Sequence, residues 1–593
     1  MIATLCATPY CHLMQIIRSA PLVSSPCRRL VTHAAVAALL ALGPLAPAAG
    51  QAQTEFEPGF SAAFLSGRVA AGANDFAQMA QSYDIALHSD PENPGFLELA
   101  MQGHVMSGNF DRAAELAARS MAHGAASQVA AVILQADEFR RGAYEAASAA
   151  ISDGRRTGPL SDAMAVAWAQ VGQGRMSDAL EAFDSAIDER AELAPFALFH
   201  KAMALAVAGD MEQAAEILRG EDHGPVNLSR RGVLAQMTIL SQLGLFDEAI
   251  ALSVAIFGNA PDEDVAELVA ELDAGRAVPF TTVRSARDGM AEAYFTLAGA
   301  LIGERGDWQP IIYAQLALAL NPEHGDAILL TGQLMERAEQ FALADQVYAM
   351  MPADHPQALA AELGRANALF QSGATEDAIA RLEALARERS ESVLVASTLG
   401  DMLRREERFA EAVEAYDRAI ALIDEIEERH WVLLYTRAIA LERVGNWDRA
   451  EPEFRRVLEF VPDEPQVLNY LGYSLIEKRT NLDEALDMIE RAVEGEPDSG
   501  YITDSLGWAY YRLGRFDEAV PVMERAVELL PRDPILNDHL GDVYYAVGRE
   551  REARFQWRRA LSFGPHPDLD MDLVRRKLEI GKDAALEEFG VTQ

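Results

Sequence analysis

The side chains that most often do covalent or metal chemistry are few and scattered in this sequence. Its three cysteines, Cys6, Cys11 and Cys27, all lie near the N-terminus, so the rest of the chain has no thiol to act as nucleophile, redox centre or metal ligand. His324, His430 and His539 stand singly, with no second residue at metal-ligand spacing, and read as ordinary helix positions. Gly172-Gln173-Gly174 starts like a dinucleotide loop but lacks the third glycine. Asp568, Asp570 and Asp572 alternate, a spacing that does not converge on one ion from a helix, and an acidic helix cap explains them better. The sequence has no P-loop, no serine elbow and no zinc-protease helix motif. The expectation is a protein without catalytic set, cofactor or metal, whose chemistry is recognition.

The elements that would carry such recognition announce themselves by a period. One position, alanine at twelve of fourteen places, recurs at Met79, Ala113, Ala147, Ala179, Ala214 and Ala249, and again at Ile311, Ala344, Ala378, Ala412, Ala450, Ala485, Ala519 and Ala553. The spacing stays near about 34 residues, the repeat length of stacked helical hairpins. A generic alanine-rich bundle has a period of about 3.6 residues but no second one of this length. The clearest unit is DSLGWAYYRLGRFDEAV, Asp504 to Val520, followed by PVMERAVELLP to Pro531. Gly507, Ala519 and Ala526 let two helices approach closely, Leu506 and Tyr510 fill the remaining space, and Pro531 stops the second helix. Gly514 occupies the inter-helix turn, where a positive φ suits glycine.

These residues resemble tetratricopeptide repeats from about Phe60 to Pro565. The run LNYLGYSLIEKRTNLDEAL (Leu468 to Leu486), the Asp504 unit and LGDVYYAVGREREA (Leu540 to Ala553) is similar to the C-terminal repeats of large bacterial envelope proteins of this kind. One group of those are lipoprotein adaptors of carboxyl-terminal processing proteases. The resemblance implies an all-α, right-handed α-solenoid of about fourteen hairpins in two arrays. It also implies which first-helix positions face the concave surface: Tyr435, Asn469, Tyr473, Asp504, Trp508, Tyr511, Asp538, Asp542 and Tyr545. The basic residues by which chaperone-binding relatives clamp a terminal carboxylate are missing there, and Asn469 is their only echo. An aromatic and acidic groove suits extended, basic protein segments. The competing reading is that the aromatics simply pack between neighbouring first helices.

The first fifty residues contain no acidic residue. Arg28 and Arg29 precede the apolar run Val36 to Leu42, then Gly43-Pro44 and the small residues Ala46, Ala48 and Ala49, the pattern of a cleaved secretory signal. The apolar run is far shorter than the roughly 20 residues of a membrane span. With the cysteines confined to this leader, the expectation is a periplasmic protein of a Gram-negative bacterium, peripherally held at most. No cysteine follows the cleavage zone, which departs from the lipoprotein adaptors. The formal charge of −40 argues against nucleic acid and anionic lipid and favours basic protein partners.

The expected organisation is a leader over 1–53, a degenerate array over 60–261, an insert or hinge over 262–289, a second array over 290–565, and a capping helix with tail over 566–593. The extra residues before Ala450, around Asp424 to Arg429, read as a lengthened second helix. The functional expectation is a periplasmic scaffold or adaptor that holds protein segments in its groove and presents envelope substrates to a protease or hydrolase. A structural subunit of an envelope export or assembly machine is the alternative, and an enzyme with an unrecognised site is a distant third. The oligomeric state stays open.

Overall fold

The helical pattern fills almost all of the chain that the computed structural model describes, which is residues 59–590 apart from 190–193, 222–225, 227, 259–262, 304–307 and 567. The expected leader lies outside the described residues. There are thirty-one α-helices among them. The first twelve form six hairpins: α1 (Phe60–Gly72) and α2 (Phe76–Ser89), α3 (Pro94–Met106) and α4 (Phe110–Ala122), α5 (Gln128–Arg140) and α6 (Tyr144–Ser152), α7 (Pro159–Gly172) and α8 (Met176–Glu189), α9 (Ala194–Ala208) and α10 (Met211–Arg219), α11 (Arg230–Gln242) and α12 (Phe246–Phe257). After a single helix, α13 (Glu263–Asp273), come α14 (Ala286–Ala300), α15 (Trp308–Leu320), α16 (Gly325–Arg337), α17 (Phe341–Tyr348) and α18 (Ala358–Gln371). Then follow α19 (Thr375–Glu388), α20 (Val393–Arg405), α21 (Phe409–Ala421), α22 (Trp431–Arg443), α23 (Trp447–Phe460), α24 (Pro465–Lys478) and α25 (Leu482–Gly495). The last are α26 (Gly500–Arg512), α27 (Phe516–Leu529), α28 (Pro534–Ala546), α29 (Glu550–Ser562), α30 (Met571–Ile580) and α31 (Lys582–Phe589). This is an all-α helical repeat solenoid.

Local chemistry sets the helix ends. Asp533 caps α28 by accepting from the N–H groups of Ile535 and Leu536 at 2.9 and 3.0 Å, with Pro534 in the first turn. Gly514 takes φ +74° in the turn between α26 and α27. All fourteen periodic positions lie in second helices and are buried, none more than 3% exposed. The period therefore marks the places where hairpins close on themselves.

Two compact units divide between Ala374 and Thr375. In the first, α14 and α15 do not continue the stack of hairpins. They pack against α3, α5, α7 and α9, each the first helix of its own hairpin. Tyr294 OH donates to Gln135 Oε1 at 2.8 Å, and Gln315 Nε2 donates to the Met106 carbonyl at 3.2 Å. Gly289 makes the approach possible, since a Cβ there would lie 2.3 Å from the Trp168 ring. The inner face of the first array is thus filled by the chain itself, and one apolar core runs through both layers.

The joint expected over 262–289 lies inside this unit. Its extended stretch after α13 is tied down twice: Val278 bonds Ser241, and Arg231 holds the Thr282 carbonyl at 3.0 Å. Arg231 also bonds Glu292 at 2.8 Å and Asp326 at 2.9 Å, while His324 Nε2 meets Glu292 at 3.1 Å. Burial pushes the Glu292 pKa upward, but Arg231 and His324 outweigh it and hold the carboxyl down at about 2. The extra residues before Ala450 are not a longer helix. The second helix stops at Ala421, and a 3-10 turn over Glu428–His430 follows, closed by the Glu427 N–H donating to His430 Nδ1 at 3.0 Å.

Candidate functional site

The second unit carries its first helices α20, α22, α24, α26 and α28 side by side, and the last three assemble the aromatic and acidic residues. Trp508 of α26 stacks on Tyr511 with centroids 4.8 Å apart and on His539 of α28 at 4.1 Å. Trp508 Nε1 donates to Glu477 Oε1 of α24 at 2.7 Å. His539 Nδ1 donates to Asp504 Oδ2 at 2.9 Å. Burial acts to lower the His539 pKa, but Asp504, Asp538 and Asp542 together turn the net shift upward, favouring the imidazolium. On α28, Asp542 Oδ1 accepts from Trp557 Nε1 at 3.0 Å. Asp504 Oδ1 and Asp538 Oδ1 are buried and have no hydrogen-bond partner among the described residues.

Two cations reach this face from the C-terminal helices. Lys577 of α30 donates to Asp538 Oδ2 at 2.8 Å and to Asp542 Oδ2 at 3.0 Å and is only 3% exposed. Burial works against its charge, yet the two carboxylates overcome it and hold the ammonium protonated. Lys582, at the start of α31, donates to the Tyr511 hydroxyl and sits 4.8 Å over the Tyr511 ring. Arg443 of α22 donates to Asp568 at 3.5 Å. The face holds these cations of the chain's own tail with carboxylates for charge and aromatic rings for contact area.

Of the nine positions expected to face the groove, the structure brings Asp504, Trp508, Tyr511, Asp538 and Asp542 into one cluster with His539. Tyr545 borders it, with its hydroxyl beside Gly581 and its ring 5.8 Å from Trp557. Tyr473 lies in the field of Glu477, Asp504 and Asp568, and burial, the larger cause, raises its pKa together with them. Tyr435 stands apart. Its ring packs between Phe454 and Tyr470, and its hydroxyl reaches the Gln466 carbonyl at 3.3 Å, so it serves inter-helix packing. Asn469 is half-buried with its side-chain oxygen unpartnered among the described residues.

His539, Lys577, Lys582 and Glu477 were missing from the expected set. The reading of histidines as plain helix positions is corrected here. His539 has its partner one repeat away, at Asp504, and His324 caps α16 while holding Glu292. Neither contact leaves a trace in local spacing. The trio of alternating acids resolves as expected of a cap only at Asp570, which accepts from the N–H groups of Asp572 and Leu573 at 2.9 and 3.0 Å.

Stacked helical hairpins of this repeat length are the architecture of repeat solenoids. Family models described as tetratricopeptide repeat match residues 391–463 and, in a second model, 164–224, 435–502, 478–534 and 505–566. These stretches are tetratricopeptide repeats, whose coarse role is that of a protein-binding scaffold. A tetratricopeptide repeat-containing protein of Pseudomonas aeruginosa is 27% identical over 185 residues, 31% of this chain and 30% of that relative's length. Among solved structures, a tetratricopeptide repeat protein of Parabacteroides merdae is 15% identical, with a TM-score of 0.36 over 43% of this chain and 98% of its own. The APC/C hetero-tetramer Cut9–Hcn1 is 14% identical, with a TM-score of 0.36 over 88% of this chain and 96% of its own. YrrB, described as a tetratricopeptide repeat protein with an unusual peptide-binding site, is 19% identical, with a TM-score of 0.26 over 33% of this chain and 98% of its own. No helix among the described residues is long and apolar enough to cross a membrane.

Proposed function

We propose that the chain is a periplasmic adaptor that binds segments of other proteins on the face of α24, α26 and α28. The observation that carries this reading is the cluster of Trp508, Tyr511 and His539 beside Asp504, Asp538 and Asp542. The corresponding face of the first unit is covered by α14 and α15, which leaves the second unit to recruit partners. The export part of the proposal rests on the acid-free leader and on a remaining sequence free of cysteine. Presentation of envelope substrates to a protease or hydrolase is the role the resemblance to lipoprotein adaptors suggests for such a face. Two measurements test the reading. A phosphatase fusion after residue 60 should be active outside the cytoplasm. Affinity capture with full-length wild type should recover a partner that the Trp508→Ala variant, equally stable, loses by tenfold or more. Equal recovery by both would remove the face from the account.

A further inference from the structure

The C-terminal thirty residues do more than close the last hairpin. From the end of α29 at Ser562 the chain runs back to Arg443 on α22 through Asp568, returns to α28 through Lys577, and meets α26 through Lys582. Leu569, like Trp508, Tyr511 and Tyr545, packs against the apolar core of α27, α28 and α29. The tail therefore touches the first helices α22, α26 and α28, the surface that a bound segment from another protein would occupy. Resting on the reading of this face as the partner site, we propose that residues 568–582 are a built-in stand-in for the partner. A lysine-bearing segment of another protein displaces the tail, placing two ammonium groups where Lys577 and Lys582 sit and an apolar side chain where Leu569 sits.

Three observations support this occupant. Residues 568–582 balance Arg575, Arg576, Lys577 and Lys582 against Asp568, Asp570, Asp572 and Glu579, and the two lysines are the side chains that meet Asp538, Asp542 and Tyr511 of the face. Its grip is modest: α30 buries only Val574 and Lys577, and α31 only Lys582, Ala585 and Leu586. The face also offers more than the tail uses, since Asp504 Oδ1 and Asp538 Oδ1 remain buried without a partner among the described residues. A segment with further donors would satisfy acceptors that the tail leaves unmet. The tail holds the face closed until a competitor with more cationic or donor groups arrives.

The test uses the full chain and a labelled synthetic peptide of residues 566–593. In Lys577→Glu/Lys582→Glu, the tail faces Asp538 and Asp542 with like charge and should lose hydrogen-exchange protection over 568–590 while α20–α29 keep theirs. That variant should bind the peptide at least tenfold more tightly than wild type, whose face is already filled. Adding Asp538→Asn/Asp542→Asn should abolish the binding. If α28 and α29 also lose protection, Leu569→Asp/Lys582→Glu is read in the same way. A tail that stays protected in both variants is an integral part of the fold, and the proposal fails. It fails equally if the tail is released and the peptide does not bind, or if wild type and variant bind it alike. A wild-type chain that is dimeric through exchanged tails would make a second copy the occupant and overturn the assignment to another protein. Partner capture that depends on Trp508 but is unchanged by Lys577→Glu/Lys582→Glu would leave the face standing and remove only the tail's role.

Discussion

Single residues carry both the packing and the pH response of this protein. His200 is buried, and its Nδ1 accepts from Trp168 Nε1 at 3.2 Å. Burial lowers its pKa to about 4, with Glu292 opposing. Below the ordinary histidine value of about 6.5 the unfolded chain takes up a proton that the folded one refuses. Stability of the first unit should therefore fall as pH drops from about 6.5 to about 4, by up to about 1.4 kcal/mol per pH unit. Thermal melts of wild type and His200→Gln across that range should diverge, with the variant declining less; parallel decline would assign the loss elsewhere. In the second unit, Ala519 is fully buried where α26 and α27 meet. Ala519→Leu overpacks that contact and should cost about 1–3 kcal/mol, confined by denaturant unfolding and hydrogen exchange to α24–α29. An unchanged midpoint would mean the hairpin closes differently.

At the scale of elements, the hairpins were legible and their arrangement was only partly so. Ala113, Ala450 and Ala519 recur because a hairpin closes most tightly on a small residue where its helices meet, and alanine fills that place at twelve of the fourteen positions. The placement of α14 and α15 follows a different logic. Tyr294 meets Gln135, 159 residues earlier, and Gln315 meets Met106, 209 residues earlier. No period or turn signal encodes a contact that distant. Gly289 is the one local hint, and it is intelligible only once Trp168 is known to lie opposite. Gly289→Ala should push the α14 backbone off that ring and destabilise the first unit by about 1–3 kcal/mol. Faster proteolysis within 276–285 is the accompanying sign; no change in either would show that α14 shifts freely. The candidate face was similarly half-read. Asp504, Trp508 and Asp538 follow from first-helix positions, whereas Lys577 was hidden because a polar-looking tail suggested a solvated cap. Its neighbours Val574 and Leu578 were the signal, since they place apolar side chains at helical spacing beside a lysine.

For the molecule as a whole, the two units use the same repeat differently: one fills its inner face with a hairpin, the other holds a short tail there through Lys577 and Lys582. Arg231 anchors the first unit by joining Glu292, Asp326 and the Thr282 carbonyl. Arg231→Ala strands a buried carboxylate, and breaking such a pair costs about 3–5 kcal/mol. Calorimetry should show a transition belonging to the first unit move down while that of the second, Thr375–Gln593, stays. A single transition moving as a whole would mean that the units do not unfold separately. The central claim, that partners dock on the face of α24, α26 and α28, is tested most directly by placing a photo-crosslinking phenylalanine analogue at Tyr473 within it and at the exposed Phe555 on α29 in full-length protein in cells. Adducts with another protein from position 473 and none from 555 are the predicted result. Adducts from 555 alone would contradict it and move the partner to the outer surface.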